Sequence, residues 1–179
     1  MNPGTYHVPV LADASIAGIG APQLPSGIYV DATFGGGGHS RLILDALDAN
    51  GRLFGFDQDA DAHANALPDE RFTLIPENFR HARNFLRLNG VRRIDGLLAD
   101  LGVSSHQFDE GARGFSTRFD APLDMRMNPQ QQSAQELINT ADQKLLCEIF
   151  RKYGEEPQAY SIAQKIVENR KLKPIASTL

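Results

Sequence analysis

A glycine-rich turn between an apolar run and an amphipathic segment constrains this chain more than any other feature. Residues 28–30 are β-branched and aromatic, which is typical of a buried parallel strand. Four consecutive glycines follow at 35–38, and residues 40–47 then repeat apolar positions at helical spacing, with Ser40 placed to cap the helix. A second strand is predicted at 53–57. The pattern is a βαβ unit, which binds its ligand at the carboxyl ends of the strands.

An acidic residue, Asp57, ends the second predicted strand. It follows the glycines by about 20 residues, the separation at which a carboxylate meets ribose hydroxyls in dinucleotide-binding proteins. The G-x-G-x-x-G pattern of those proteins fails here, because its last position falls on Ser40 or Arg41. Asp31, inside the turn, would repel a phosphate and could pair with a cationic ligand. The residues therefore favour a ribose-bearing cation without phosphate, which describes S-adenosylmethionine.

Two other interpretations of this unit stay open. The same strands and helix could bind NAD in a nicotinamide-dependent oxidoreductase. Alternatively, the glycines form only a tight turn and Asp57 is a solvated strand end.

Length and composition set the general class. The chain has 179 residues, enough for one domain of ordinary size and part of another. Its net charge of −4 argues against a globally basic nucleic-acid coat, although a local basic patch is compatible with it. The single cysteine, Cys147, lies in a helical pattern and is predicted to be a small buried hydrophobe. With no membrane-length apolar run and no signal-like amino terminus, we expect a soluble cytoplasmic protein without a membrane partner or a metal site.

The flanking segments predict a four-stranded α/β sheet. Further strands are expected at 71–75 and 94–100, and helices before Gly20, at 59–67 and at 81–88. The expected strand order is 3-2-1-4. His7, near the start of the chain, is predicted to be a surface or capping residue rather than a catalytic one.

Two residues near the ends of the later strands are candidates for the site. Phe79 lies just past the third strand, at the same edge as Asp57, where an aromatic ring either covers an adenine or belongs to the core. Asp100 ends the fourth strand, which in the expected strand order faces the reactive end of the ligand. The alternative for Asp100 is a capping acid ahead of a turn.

Residues 109–129 have no clean period and are too long for an ordinary connection, so they predict a functional loop or a domain crossing. The loop interleaves cationic and aromatic side chains, namely Arg113, Phe115, Arg118, Phe119 and Arg126. This composition suits phosphate contact and base stacking. A solvated loop whose arginines pair with Asp120 and Asp124 fits the pattern equally well. Three helices are predicted after it, at 133–139, 142–153 and 156–171.

Three motifs make the chain resemble a known family. They are residues 31–40 (DATFGGGGHS), residues 100–105 (DLGVSS), and residues 113–116 (RGFS) with 122–127 (PLDMRM). The chain is similar to the bacterial ribosomal RNA small subunit methyltransferase H (MraW) family from His7 onward. The resemblance implies a Rossmann-like methyltransferase fold that transfers a methyl group from S-adenosylmethionine to the exocyclic N4 of a cytidine in small-subunit (16S) ribosomal RNA. The implied partner is that RNA or the ribosomal subunit.

The resemblance also implies the residues of the site. The implied donor-binding positions are Gly37, Gly38, His39, Asp57, Phe79, Asp100 and Gln107. Asp100 is expected to be catalytic, with its carboxylate accepting an N–H of the cytosine amine. Arg113, Phe115, Arg118 and Arg126 are expected to contact the RNA.

Members of the family continue well beyond the last residue of this chain, so we expect a truncated form. Residues 1–108 are then the amino-terminal half of the methyltransferase domain, and residues 109–179 are the loop and part of a helical substrate-recognition insert. The fourth strand would be left as an apolar edge, through which the chain could self-associate. A catalytically silent fragment that binds S-adenosylmethionine or RNA is the alternative to an active enzyme.

Overall fold

The computed structural model describes residues 9–179 and contains a four-stranded parallel sheet. The strands are β1 (Ile28–Asp31), β2 (Arg52–Phe56), β3 (Phe72–Ile75) and β4 (Gly96–Leu98). Their order is β3-β2-β1-β4, and each neighbouring pair is parallel. The predicted α/β fold and strand order are confirmed. His7 lies outside the described residues.

The described residues contain eight α-helices. In chain order they are α1 (Ala12–Gly18), α2 (Gly38–Ala46), α3 (Ala60–His63), α4 (Ala82–Leu88), α5 (Ser105–Asp109), α6 (Ala134–Thr140), α7 (Gln143–Gly154) and α8 (Ala159–Asn169). Short 3₁₀ turns lie at Phe79–His81 and Gly111–Arg113. The helices expected before Gly20 and after the long loop are confirmed. Helix α5 was not predicted.

Two compact units divide the chain between Gly102 and Val103. The first unit holds the sheet and helices α1 to α4, and the second holds helices α5 to α8. This division falls a few residues before the change in composition at Asp109.

The core of the first unit lies on both faces of the sheet. Tyr29 and Leu53 pack on one face with residues of α1 and α2, whereas Val30 and Phe54 pack on the other with residues of α4. Since successive side chains of a strand point to opposite faces, a sheet covered on both sides needs apolar residues at every position. The continuous apolar runs of β1 and β2 follow from this double burial.

The start of α2 differs from the sequence-based prediction. The helix begins at Gly38 after Gly37, whose φ of 74° is left-handed and which makes no side-chain cap bond. Ser40 is not the cap. It lies inside the helix, where its hydroxyl donates to Asp31 at 2.7 Å. The buried carboxylate needs a donor, and this requirement outweighs the capping preference of serine.

The helix predicted at 59–67 is also shorter, since α3 ends at His63. The His63 ring donates from Nε2 to the Asp57 carbonyl at 2.9 Å, and the Asn65 side chain donates to the Gly35 carbonyl at 3.2 Å. Both side chains are thereby bound to the strand end and the glycine turn. The tertiary contacts therefore end the helix before its sequence pattern does.

The long loop of the second unit is held by a distant part of the chain. Pro122 and Ser177 form an antiparallel bridge, flanked by bonds from Leu123 N–H to Ala176 O and from Thr178 N–H to Ala121 O. The Asn139 side chain also exchanges two hydrogen bonds with the backbone of Ile175, at 2.6 and 3.0 Å. A segment with no sequence period is thus ordered by long-range backbone pairing.

We expect Gly114→Ala to destabilise this unit. Gly114 has a φ of 72°, and a Cβ there would collide with the Pro122 carbonyl oxygen and lie 2.8 Å from the Asp124 nitrogen. The left-handed conformation alone costs an alanine about 1–2 kcal/mol, and the backbone clash adds to it.

The control for this prediction is Gly90→Ala. Gly90 has a φ of 77°, but a Cβ added there would meet no atom within 4 Å, so this position isolates the conformational cost. Urea unfolding of both variants gives the comparison. Equal losses of unfolding free energy would show that the close contact of Gly114 with the backbone of Pro122 and Asp124 adds no cost.

Candidate functional site

The chain that leaves β1 is bonded to the strands on either side of it. Ala32 N–H donates to the Leu98 carbonyl of β4 at 2.8 Å, and Phe34 N–H donates to the Phe56 carbonyl of β2 at 3.0 Å. The glycine turn therefore starts between the carboxyl ends of two neighbouring strands. In a parallel α/β sheet this is where ligands bind.

The turn itself requires glycine at defined positions. Gly35 and Gly37 have left-handed φ angles of 51° and 74°. A Cβ on Gly37 would lie 3.0 Å from the Phe34 ring, and one on Gly38 would lie 2.6 Å from Cγ of Pro9. At the start of α2 the backbone thus approaches its neighbours more closely than a side chain would allow.

Asp57 lies directly beside the turn. One of its carboxylate oxygens accepts the Gly35 N–H at 2.8 Å, and the other accepts the Asp59 N–H at 2.9 Å. The residue is half-buried. An ionised carboxylate has about four lone-pair sites, so each oxygen can still accept a hydrogen bond from a ligand. The protein holds this carboxylate in place and leaves acceptor sites on both oxygens for a ligand.

Asp31 is the buried acid of the site. It is 0% exposed, and its oxygens accept the Ser40 hydroxyl at 2.7 Å and the Thr33 N–H at 3.1 Å. Burial raises the pKa of the Asp31 carboxyl, while the bonds from Ser40 and Thr33 oppose that rise. Direct pairing of Asp31 with a cationic ligand, which the sequence suggested, is not available in this structure. The carboxylate lies beneath the turn instead.

Asp100 is exposed and lies two positions beyond Leu98, the last residue of β4. Its N–H donates to the Thr33 hydroxyl at 2.8 Å. Thr33 therefore bonds to Asp31 through its backbone and to Asp100 through its side chain. Sequence analysis missed Thr33, because its partner is 67 residues away and nothing local indicates it.

Phe79 occupies the far side of the same edge. It begins the 3₁₀ turn after β3 and its side chain is 43% exposed. The preceding residue, Asn78, donates to the Gln58 side chain at 3.1 Å, which ties this turn to the residue after Asp57. An exposed ring is thus held close to the second strand end. Asn78 and Asn65 are further residues of the site that carried no sequence signal.

The other two implied donor-binding side chains have structural partners. His39 is buried, and its Nε2 donates to the Val10 carbonyl at 3.0 Å. Gln107 is in the second unit, where its side-chain oxygen accepts the Ser104 N–H at 3.0 Å and closes a capping box on α5. The S-x-x-Q pattern at 104–107 is the signal that would have predicted α5. Their role toward a donor stays a prediction.

The loop arginines of the second unit are engaged within the chain. Arg126 forms a two-bond ion pair with Asp124, at 2.9 and 2.7 Å, and it holds the pKa of that carboxyl below its ordinary value. Arg113 donates to the Arg126 carbonyl at 2.8 Å. Arg118 pairs with Asp109 at 2.8 Å, not with Asp120 as the sequence suggested. The pairing with Asp124 is confirmed.

An open cavity of about 490 Å³ lies in the same unit, with Phe108, Phe115 and Arg118 among its lining residues. It combines aromatic rings with an exposed guanidinium.

Among residues 9–179 we find no cluster of three potential metal ligands. No helix in that range has the length and apolar character needed to cross a bilayer.

Comparison with known proteins gives consistent matches. The sequence matches the MraW methylase family over residues 4–179. It is 56% identical over 174 residues to the ribosomal RNA small subunit methyltransferase H of Flavobacterium johnsoniae, covering 97% of this chain and 57% of that relative. It is 59% identical over 155 residues to the protein of the same name from Flavobacterium psychrophilum, covering 86% of this chain and 53% of that relative. The chain thus spans slightly more than half the length of these relatives.

We expect Asp31→Asn to change how stability depends on pH. The folded-state pKa of Asp31 is raised by burial, so the native state holds its proton more tightly than the unfolded state. The contribution of Asp31 to stability is then complete at low pH, and it is lost as pH rises above 3.8, the ordinary value, and through the folded-state pKa. The asparagine variant lacks this loss.

Thermal unfolding from about pH 3.5 to about pH 7 provides the test. The unfolding temperature of the variant should rise relative to the parent as pH increases. Asp45→Asn, on the exposed side of α2, controls for the loss of one negative charge. A difference between parent and Asp31→Asn that does not change with pH would contradict the prediction.

Proposed function

Because the chain belongs to the MraW methylase family, we propose that it forms the donor-binding part of an RNA methyltransferase that uses S-adenosylmethionine. The proposed reaction is methylation of the exocyclic N4 of a cytidine in small-subunit (16S) ribosomal RNA. The observation that carries the proposal is Asp57, held beside the glycine turn with hydrogen-bonding capacity to spare. The proposed partner is the RNA or the small ribosomal subunit.

The residues of the first unit fit this donor. Asp57 would accept the ribose hydroxyls, and the exposed ring of Phe79 would cover the adenine. Gly37 and Gly38 allow the close packing at the start of α2 that would shape the turn beside the donor. When bound, S-adenosylmethionine supplies an electrophilic methyl group on a sulfonium. The buried His39 would act indirectly, by fixing the segment at Val10 against the turn.

The charge of this edge favours the same donor over a dinucleotide. Asp57 and Asp100 lie just beyond the carboxyl ends of β2 and β4, on either side of β1. Their combined potential attracts a cation and opposes a pyrophosphate. This arrangement argues against the nicotinamide-dependent oxidoreductase.

Asp100 is the proposed catalytic residue. The N4 amine of cytosine is a weak nucleophile, because its lone pair is delocalised into the ring. A carboxylate at Asp100 and a backbone carbonyl near Leu101 would accept hydrogen bonds from the two N–H groups of the amine. These bonds favour a pyramidal nitrogen. The Thr33 hydroxyl accepts the Asp100 N–H at 2.8 Å, which fixes the backbone that carries this carboxylate. Alignment of the reacting groups can lower the activation free energy by roughly 7–11 kcal/mol.

RNA contact and self-association involve other surfaces. The target base must leave its stack to reach an enclosed site. The cavity with Phe115 and Arg118 offers stacking and a cation within the second unit. Arg113 and Arg126 would support this loop through their internal bonds.

The proposed site of self-association is the outer edge of β4. Leu97 is 50% exposed there, and within the described chain β4 pairs with β1 alone.

We expect Asp57→Ala and Asp57→Asn to weaken donor binding. Loss of charged hydrogen bonds costs about 1.5–3 kcal/mol, which is at least about a tenfold loss of affinity. Asparagine keeps an oxygen that can accept the Gly35 N–H, so it separates loss of the ribose contact from loosening of the turn. Calorimetric titration with S-adenosylmethionine measures both variants, with Asp45→Ala as the control.

Unchanged affinity in folded Asp57 variants would remove this residue from the donor site. Titration of the parent chain with NAD in parallel tests the alternative function. Saturable NAD binding without S-adenosylmethionine binding would overturn the proposed function itself.

We expect Asp100→Asn to slow methyl transfer strongly while changing donor affinity little, because asparagine cannot provide the charged acceptor. Single-turnover transfer of tritiated methyl groups to small-subunit RNA measures the rate. The measurement is made in this chain and in the longer Flavobacterium johnsoniae relative, at the position that aligns with Asp100. If the variant of an active parent keeps the parent's rate, Asp100 is not catalytic.

A further inference from the structure

The basic residues of this acidic chain are concentrated in one short segment. Five arginines fall between positions 80 and 93 with no acidic residue among them: Arg80, Arg83, Arg87, Arg92 and Arg93. The whole chain has 18 lysines and arginines and a net charge of −4. More than a quarter of its basic residues thus lie in this segment, which we call the arginine patch.

Helix α4 presents part of the patch to solvent. Leu86 is buried, and Ala82 and Phe85 pack against the core beside it. Arg83 and Arg87 are four residues apart, so they share a helix face, and both are exposed. The core contacts of α4 therefore orient these two cations outward together.

The turn after α4 brings the remaining arginines to the same place. Gly90, with a φ of 77°, reverses the chain, and Val91 is buried. Arg92 and Arg93 follow and are exposed. Arg87 and Arg92 both line a cavity of about 540 Å³ at this turn. Guanidinium groups from the helix and from the following segment thus surround one depression.

Most of the patch has no internal partner. The guanidinium groups of Arg83, Arg87, Arg92 and Arg93 make no hydrogen bond or ion pair with any other residue in the described range. By contrast, Arg118 and Arg126 of the second unit are both held by aspartates. Like charges held together without counter-charges repel one another, so the fold itself gains nothing from this grouping.

The end of the patch at Gly90 is separate from the donor site. Helix α4 starts after the carboxyl end of β3 and leads to the amino end of β4. Asp95, just past the patch, pairs with Ile28 at the amino end of β1 through bonds of 2.8 Å in both directions. Arg87 and Arg92 thus lie toward the amino ends of the strands, whereas Asp57 and Asp100 lie at the carboxyl ends. Changes at Arg87 and Arg92 should leave donor binding intact.

We propose that the arginine patch is a docking surface for the phosphate backbone of structured RNA. This proposal rests on the proposed function for its partner. Guanidinium groups match phosphate oxygens with paired hydrogen bonds, and exposed arginines on two adjacent segments suit the repeated charge of a backbone. The patch has no exposed aromatic ring to stack on bases, so it positions RNA without reading its sequence.

The test compares two double variants of equal charge change. Arg87→Gln with Arg92→Gln removes both arginines of the cavity, and Lys165→Gln with Lys171→Gln, at exposed positions of the second unit, is the control. Binding of a fluorescent small-subunit RNA helix is measured by anisotropy at several salt concentrations. Each lost phosphate contact should reduce the slope of log affinity against log salt by about 0.7–0.9.

We expect the patch variant to lose slope and affinity while the control keeps both. Calorimetric titration with S-adenosylmethionine should give the parent's affinity for both variants. Equal losses in patch and control variants, or a parent without salt-dependent RNA binding, would overturn the docking surface. Those outcomes leave donor binding as a separate result, so failure of the patch and failure of the proposed function are distinguishable.

Discussion

The buried carboxylate of Asp31 is the interaction on which the rest of the site depends. Removing an acid from water is costly unless donors replace the solvent, and here the Ser40 hydroxyl and the Thr33 N–H do so. These two bonds tie the end of β1 to the first turn of α2 and to the turn between them. Thr33 then extends the connection to Asp100 through its hydroxyl. One buried charge thus orders the turn, the helix start and the proposed catalytic strand end.

The partners of each acid separate structural from ligand-binding roles. Asp31 has no exposed surface, whereas Asp57 is half-buried and bound to the chain by one N–H at each oxygen. Asp100 is exposed, with its backbone held. The net charge of −4 also conceals a polarised surface, since Asp57 and Asp100 lie at the carboxyl ends of the strands, whereas Arg87 and Arg92 lie toward the amino ends. The acidic end favours a cationic ligand, and the basic end favours a polyanion.

Arginine content alone did not separate structural from available cations. The interleaved arginines and aromatics of residues 109–129 have the composition of an RNA-binding loop. In the structure, Arg126 is bonded to Asp124 and the Pro129 carbonyl, and Arg118 is paired with Asp109. The arginines around α4 form an ordinary helical pattern and drew no sequence-based prediction, yet the guanidinium groups of four of the five have no partners in the described chain. Whether a cation is available depends on which acids the fold brings to it.

The sequence by itself determined the sheet and its ligand edge. Strand runs and the glycine turn follow from local periodicity, which needs no distant contact, and Asp57 was found from its position in that pattern. The strand order came with the fold that the family resemblance implies. Tertiary structure alone decided the polar partners. Ser40 bonds to Asp31 instead of capping α2, Thr33 reaches a residue 67 positions away, and the pairing of Pro122 with Ser177 orders a loop without any period. A polar side chain bonds to whatever donor or acceptor the packed core places beside it, and no local pattern encodes that neighbour.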